Sequence, residues 1–109
     1  RRASTKRIIM SYKEIPIKEF KQSLDKAKNA ILIDVREDYE FEDQNIGGVN
    51  VPMAEVLGRS DEFLNFDEIY LCCKSGKRSK TVAYHLSQLL QDSKVYSLEG
   101  GLDALFSKA

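Results

Sequence analysis

The sequence lacks a charge of its own. Seventeen lysines and arginines meet 17 aspartates and glutamates, so the 109 residues carry no formal net charge. A chain without a global basic field is not built to hold nucleic acid through its phosphates, and there is no acidic tail. Any electrostatic function has to be local. Long apolar runs are missing too: no stretch approaches the roughly 20 residues that a membrane helix needs, and the N-terminal arginines are not followed by the apolar segment of a signal peptide. Histidine occurs once, at His85, and cysteine twice, at Cys72 and Cys73. Adjacent cysteines can pair with each other only at the cost of bad strain, and with His85 they do not make metal-ligand spacing. They are expected to be free thiols in a reducing compartment. The expectations are a soluble, cytoplasmic protein with no metal, no cofactor, and neither a membrane nor a nucleic acid as partner.

What is present suits one compact domain. The length and the 42% apolar content support a single core and leave no room for a second. Residues 1–9 read as a linker or disordered tail, because 1–7 contain nothing apolar larger than alanine. The domain is expected over 10–109. The chain opens on Arg1 and its first methionine is Met10, which reads as a piece of a longer or processed protein.

Strand and helix patterns alternate. A first strand is expected within Ile8 to Ile15, then a helix opened by Pro16 with Ile17, Phe20, Leu24 and Ala27 on one face. Ala30 to Val35 is a continuous apolar run broken by Asp34, as in strands buried on both faces. A brief acidic helix over 37–42, a turn and short strand over 45–52, and a short helix over 53–58 follow. Phe63 and Leu64 are expected to pack beneath the loop before Ile69. A strand over 69–73, a helix over 79–90 with Val82, Leu86, Leu89 and Leu90 on one face, a strand over 95–98, the turn Gly100-Gly101 and a closing helix complete the chain. This alternation predicts a parallel sheet with helices on both faces and ligands at the carboxyl ends of its strands.

The chemistry concentrates in one segment. Ile69-Tyr70-Leu71-Cys72-Cys73 is an apolar strand that runs into Lys74-Ser75-Gly76-Lys77-Arg78, a basic loop with one glycine. Ser79 follows as the expected N-cap of the next helix. Backbone N–H groups and a helix dipole converge at such a junction to make an anion cradle. A cysteine there, beside Lys74, Lys77 and Arg78, is expected to be held as a thiolate.

Three segments resemble the rhodanese-like sulfurtransferase family, from about Tyr12 to Phe106. Ile33-Asp34-Val35-Arg36-Glu37 is similar to the family's Asp-Val-Arg-Glu segment, with Glu40 four residues after the arginine. Cys73-Lys74-Ser75-Gly76-Lys77-Arg78-Ser79 is similar to its active-site loop. Ser97-Leu98-Glu99-Gly100-Gly101-Leu102 is similar to its Gly-Gly segment. The chain departs from the family in having Gln44-Asn45 in place of a Gly-His pair, and Leu105 where tryptophan is common. The Gln44 to Gly48 variant resembles rhodanese domains fused behind an adenylate-forming activator of ubiquitin-like sulfur carriers, as in thiamine and molybdopterin biosynthesis.

The resemblance implies a single α/β domain with a central parallel five-stranded sheet. It implies a sulfurtransferase that forms a persulfide on Cys73 from thiosulfate or a protein persulfide. The sulfur would pass to a thiol, cyanide or a ubiquitin-like sulfur-carrier protein. Loop residues 74–78 would bind the anionic sulfur and its donor, with Asp34 and Arg36 at the same rim. A different register stays open: counted from Cys72, five residues precede Arg78, the spacing of cysteine-dependent phosphatases and arsenate reductases. A third reading is a binding module in which Cys73 is incidental. The flanking segments favour Cys73, and the phosphatase reading also needs a general acid, for which Asp34 is the first candidate. Cys72 is then a buried strand residue, Arg36 a structural group paired with Glu40, and His85 an edge residue too far along its helix to serve Cys73 as a base.

Overall fold

The computed structural model describes residues 12–106. The tail expected over 1–9, the start of the first strand and the outer limits of the 10–109 domain lie outside the described residues. Tyr12–Ile15 forms β1 and Ile17–Lys26 forms α1, entered from Pro16, whose fixed φ suits a helix start. Next come β2 (Ala30–Asp34), α2 (Asp38–Asp43), β3 (Val49–Asn50) and α3 (Met53–Val56). A 3₁₀ segment, Leu57–Phe63, prolongs α3 beyond the helix expected over 53–58. Then follow β4 (Glu68–Cys72), α4 (Lys77–Leu89), β5 (Lys94–Leu98) and α5 (Asp103–Phe106).

The five strands pair in parallel in the order β1-β5-β4-β2-β3. Because side chains alternate along a strand, each central strand feeds two cores. Ile33, Ile69 and Leu71 pack with Val56 of α3, Phe63, and Val82, Ala83 and Leu86 of α4. Leu32, Tyr70 and Cys72 pack on the other face with Phe20 of α1 and with Leu102. Helices thus cover both faces, as the alternation predicts. Phe20 is fully buried and meets Tyr70 edge-on, with ring centroids 5.4 Å apart. Among the described residues no helix is long and apolar enough to cross a membrane.

Three local expectations are corrected. α4 begins at Lys77 with Gly76 as its N-cap, so Ser79 lies inside the first turn rather than ahead of it. Gly76 takes φ +96°, a left-handed conformation that turns the chain into the helix two residues ahead of the expected start at 79. Leu89 is 54% exposed, whereas Val82, Leu86 and Leu90 are buried: the inward stripe is narrower than four leucines and valines suggest. Phe63 is buried as expected, but Leu64, next to it at the end of the 3₁₀ segment, points to the surface.

Candidate active site

β4 delivers Cys73 to the carboxyl edge of the sheet, one residue after the strand ends. Its side chain turns to the α4 face and is fully buried. Sγ accepts hydrogen bonds from the backbone N–H of Gly76 at 3.1 Å and of Ser79 at 3.3 Å. Its S–H points at Ser79 Oγ, 3.5 Å away. The loop therefore closes on the sulfur as an anion cradle, but with a different donor set from that read in the sequence. Ser79 supplies one of the amides, while the Lys77 N–H is turned onto Ser75 Oγ at 3.4 Å.

The Gly100-Gly101 turn, which the sequence presents only as a turn, presses on this loop. Leu102 N–H donates to the carbonyl of Cys73 at 2.8 Å and Asp103 N–H to that of Lys74 at 2.9 Å. Gly101 sits at φ +63°, and a Cβ there would lie 2.3 Å from the Lys74 oxygen. Only glycine admits this approach. A second missed pair lies behind the sulfur, where the buried hydroxyls of Ser79 and Ser97 are 2.7 Å apart.

The charged residues are tied into pairs. Arg78 clasps Glu40 of α2 through two hydrogen bonds, at 2.8 and 3.1 Å. Arg78 holds the Glu40 carboxyl down at about 2, helped by the Glu37 backbone and the more distant charge of Arg36. Arg36 does not pair with Glu40 as expected. It forks onto Asp34 (Nε to Oδ1 2.9 Å, Nη2 to Oδ2 2.8 Å) and donates to the carbonyl of Gln44 at 2.6 Å. Glu37 is the N-cap of α2, so Arg36 precedes the helix and the i, i+4 geometry never forms. Lys74 is exposed, with Nζ 3.0 Å from Asp103. Lys77 and Ser75 are exposed at the mouth of the loop.

Cys72 occupies the opposite face of the sheet, fully buried beside Phe20, Tyr70 and Leu98. Burial, and then the Asp34 carboxylate, push its thiol far above the ordinary range. Asp34 pairs in register with Cys72, so Asp34 lies on that face too, away from the Cys73 sulfur. A cleft of about 250 Å³ opens between α2 and the start of α5, lined by Arg36, Glu40, Gln44, Lys74, Leu102 and Asp103. Arg36 and Lys74 both line it. A depression of about 280 Å³ between Leu64 and Leu89 lies at the far end of α4 from the cysteine loop.

Comparison with known proteins decides the family, since residues 16–108 match the description "Rhodanese-like domain". The chain belongs to the rhodanese-like domain family. Within it, the chain is 42% identical over 74 residues to the "Putative sulfur carrier protein YrkF" of Bacillus subtilis (strain 168), covering 67% of this chain and 40% of that one. It is 35% identical over 91 residues to the "Adenylyltransferase and sulfurtransferase MOCS3" of Drosophila virilis, covering 76% of this chain and 20% of that one. The chain thus spans less than half the length of both relatives. Among solved structures, SSP1007 of Staphylococcus saprophyticus aligns with a TM-score of 0.73 and 29% identity, over 89% of this chain and 96% of that one. Human TSTD1, a single-domain sulfurtransferase at 20% identity, shares the fold with a TM-score of 0.71, over 88% of this chain and 96% of that one. The rhodanese-like fold thus accounts for the five-stranded parallel sheet, and relatives named as sulfurtransferases occur among the matches.

Proposed function

We propose that this rhodanese-like domain is a sulfurtransferase that carries sulfane sulfur as a persulfide on Cys73. The observation that carries the reading is the pair of N–H groups from Gly76 and Ser79 aimed at Sγ. Backbone donors fixed around a sulfur stabilise its anion without reorganising, the role of an oxyanion hole. Cys72 has the opposite surroundings, an apolar pocket that disfavours a thiolate. Those surroundings weigh against the phosphatase or arsenate-reductase register.

In the first half-reaction the Cys73 thiolate attacks the outer sulfur of thiosulfate. A new S–S bond forms as the bond to the sulfonate sulfur breaks, and sulfite leaves with the electron pair. With a protein persulfide as donor, the leaving group is the donor's thiolate. In the second half-reaction an acceptor thiolate or cyanide takes the terminal sulfur and Cys73 returns to the thiolate. Where the acceptor is the adenylated carboxyl terminus of a ubiquitin-like carrier, the terminal sulfur attacks the acyl carbon and AMP leaves, giving an acyl disulfide with Cys73. An external thiolate then attacks Cys73 Sγ, the carrier thiocarboxylate leaves, and a second thiol reduces the mixed disulfide to free Cys73. The likeness to MOCS3 supports that partner class. Lys77, exposed at the loop mouth, attracts an anionic donor, while Arg78 and Arg36 brace the loop and the adjoining cleft through Glu40 and Asp34.

Intact-mass measurement after thiosulfate treatment tests the proposal. One added sulfur is expected, lost in Cys73→Ser and kept in Cys72→Ser. Loss in Cys72→Ser with retention in Cys73→Ser would overturn the register, and no added sulfur in any form would favour a binding module.

A further inference from the structure

Among the described residues, Ser97 on β5 makes no hydrogen bond to Cys73, yet it meets the one side chain that does. Its Oγ is 2.7 Å from Ser79 Oγ, which in turn lies 3.5 Å from Sγ. Both serines are fully buried. Ser79 Oγ also lies 3.4 Å from the carbonyl oxygen of Gly76, inside the loop. Buried hydroxyls are satisfied as a rule, but this pair is arranged so that its two protons have two consistent settings.

With Cys73 as a neutral thiol, S–H donates to Ser79 Oγ and the Ser79 proton goes to Ser97 Oγ or to the Gly76 carbonyl. With Cys73 as an anion, the sulfur only accepts. The Ser79 hydroxyl must then turn to donate to Sγ, and its own oxygen is free to accept from Ser97. A hydroxyl that accepts while it donates is a stronger donor, because hydrogen bonds in a chain polarise one another. Loss of the Ser97 hydroxyl leaves the thiol setting intact, since the Gly76 carbonyl still takes the Ser79 proton. The anionic setting alone loses its support.

We propose that Ser79 and Ser97 form a reversible hydroxyl relay, with Ser97 a positioning residue that orients and polarises Ser79 toward the anionic form of the Cys73 sulfur. The relay rests on the reading of Cys73 as the reactive sulfur, and it adds a β5 residue to the machinery that the loop supplies. No proton is consumed: the relay only rotates as charge appears on the sulfur.

The test is the pH profile of Cys73 alkylation by iodoacetamide, mapped to the residue by peptide mass spectrometry. The proteins are the wild type, Ser79→Ala, Ser97→Ala and the double variant, with Ser87→Ala as a control for a buried serine of α4 that bonds the Tyr84 carbonyl instead. Ser79→Ala removes the side-chain hydrogen bond to the anion but leaves both backbone donors, so on the acidic limb it is expected to react roughly tenfold more slowly, about 1.4 kcal/mol. Ser97→Ala should move the profile the same way by a smaller factor, roughly threefold if only the cooperative part is lost. The double variant should match Ser79→Ala alone, because Ser97 acts only through it. Ser87→Ala should leave the profile in place. Thermal unfolding of each variant separates a general loss of packing, which lowers stability without moving the profile.

An unmoved profile in Ser97→Ala, or additive effects in the double variant, would overturn the relay. The added-sulfur measurement keeps the two ideas apart. Persulfide on Cys73 with an unmoved profile defeats the relay alone, and a moved profile with no persulfide in the wild type defeats the sulfurtransferase reading alone.

Discussion

Arg78 and Glu40 stand 38 residues apart in sequence and grip each other through the two terminal guanidinium nitrogens and both carboxylate oxygens, at 2.8 and 3.1 Å. The contact ties the first turn of α4, and with it the cysteine loop, to α2. A bidentate fork of this kind holds direction as well as charge.

Acid should loosen that tie only below the ordinary carboxylate range. The Glu40 carboxyl is held at about 2 against an ordinary 4.5. A carboxyl lowered in the folded state contributes stability above its unfolded value, and loses it as pH falls from about 4.5 toward 2. The pair is partly exposed, so the contribution is about 1–2 kcal/mol after solvent screening. Glu40→Gln should lose that amount at pH 7 and show a flatter decline than the wild type between pH 5 and pH 3, as read by urea unfolding. Equal slopes for the two proteins would show that Glu40 is not the titrating group.

The same measurement applies to Arg36. Its guanidinium neutralises Asp34, whose side chain is fully buried. Arg36→Ala leaves that carboxylate without its partner, which costs roughly 3–5 kcal/mol for a buried pair broken on one side. The double variant Asp34→Asn with Arg36→Ala should recover part of the loss. Arg36→Lys should fall between, since a lysine has no fork to span both carboxylate oxygens while reaching the Gln44 carbonyl.

Gly101→Ala should damage the site from outside it. The new methyl would meet the Lys74 carbonyl, and the positive φ disfavours any side chain. A loss of roughly 2–4 kcal/mol is expected, together with slower loading of sulfur on Cys73. Gly47→Ala is the comparison. It too has positive φ, but nothing lies within 4 Å of the added carbon, so it should cost only about 1 kcal/mol. If Gly101→Ala is as mild as Gly47→Ala, the turn does not shape the loop.

Native labelling should separate the two cysteines. Both are buried, but Cys73 lies in a loop at the end of the sheet and Cys72 within a central strand. Opening the loop is a local event, whereas exposing Cys72 requires the core to unfold. Iodoacetamide should modify Cys73 in the folded protein and leave Cys72 unmodified until denaturant is added. A bulky maleimide should be slowed at Cys73 much more than at a free thiol. Labelling of Cys72 ahead of Cys73 would contradict this ordering.

The readable parts of the sequence were those where spacing and periodicity act locally. The apolar run through Cys73, the glycine of the loop and the helix after it are contiguous, so strand, loop and helix could be placed from pattern alone. Ser79 was misplaced because a good capping residue competes with a glycine that can adopt positive φ, and only the folded loop decides between them. The Arg36 pairing failed for a related reason. Four-residue spacing implies contact only inside a helix, and α2 starts after Arg36. The Ser97 to Leu102 segment was legible only as a family likeness and a turn, because the contacts that matter for Ser97 and Gly101 lie 18 and 27 positions away.

Cys72 and Cys73 are neighbours in the chain, but β4 turns their sulfurs to opposite sides of the sheet. The backbone between them acts as an insulating wall. A persulfide with a second thiol in reach can discharge within its own molecule, closing a disulfide and losing sulfide. Sulfur held on Cys73 has no such escape to Cys72. If Cys73 carries sulfur as proposed, release requires an acceptor from outside this domain, so unloading should follow acceptor supply rather than run as a clock inside the domain.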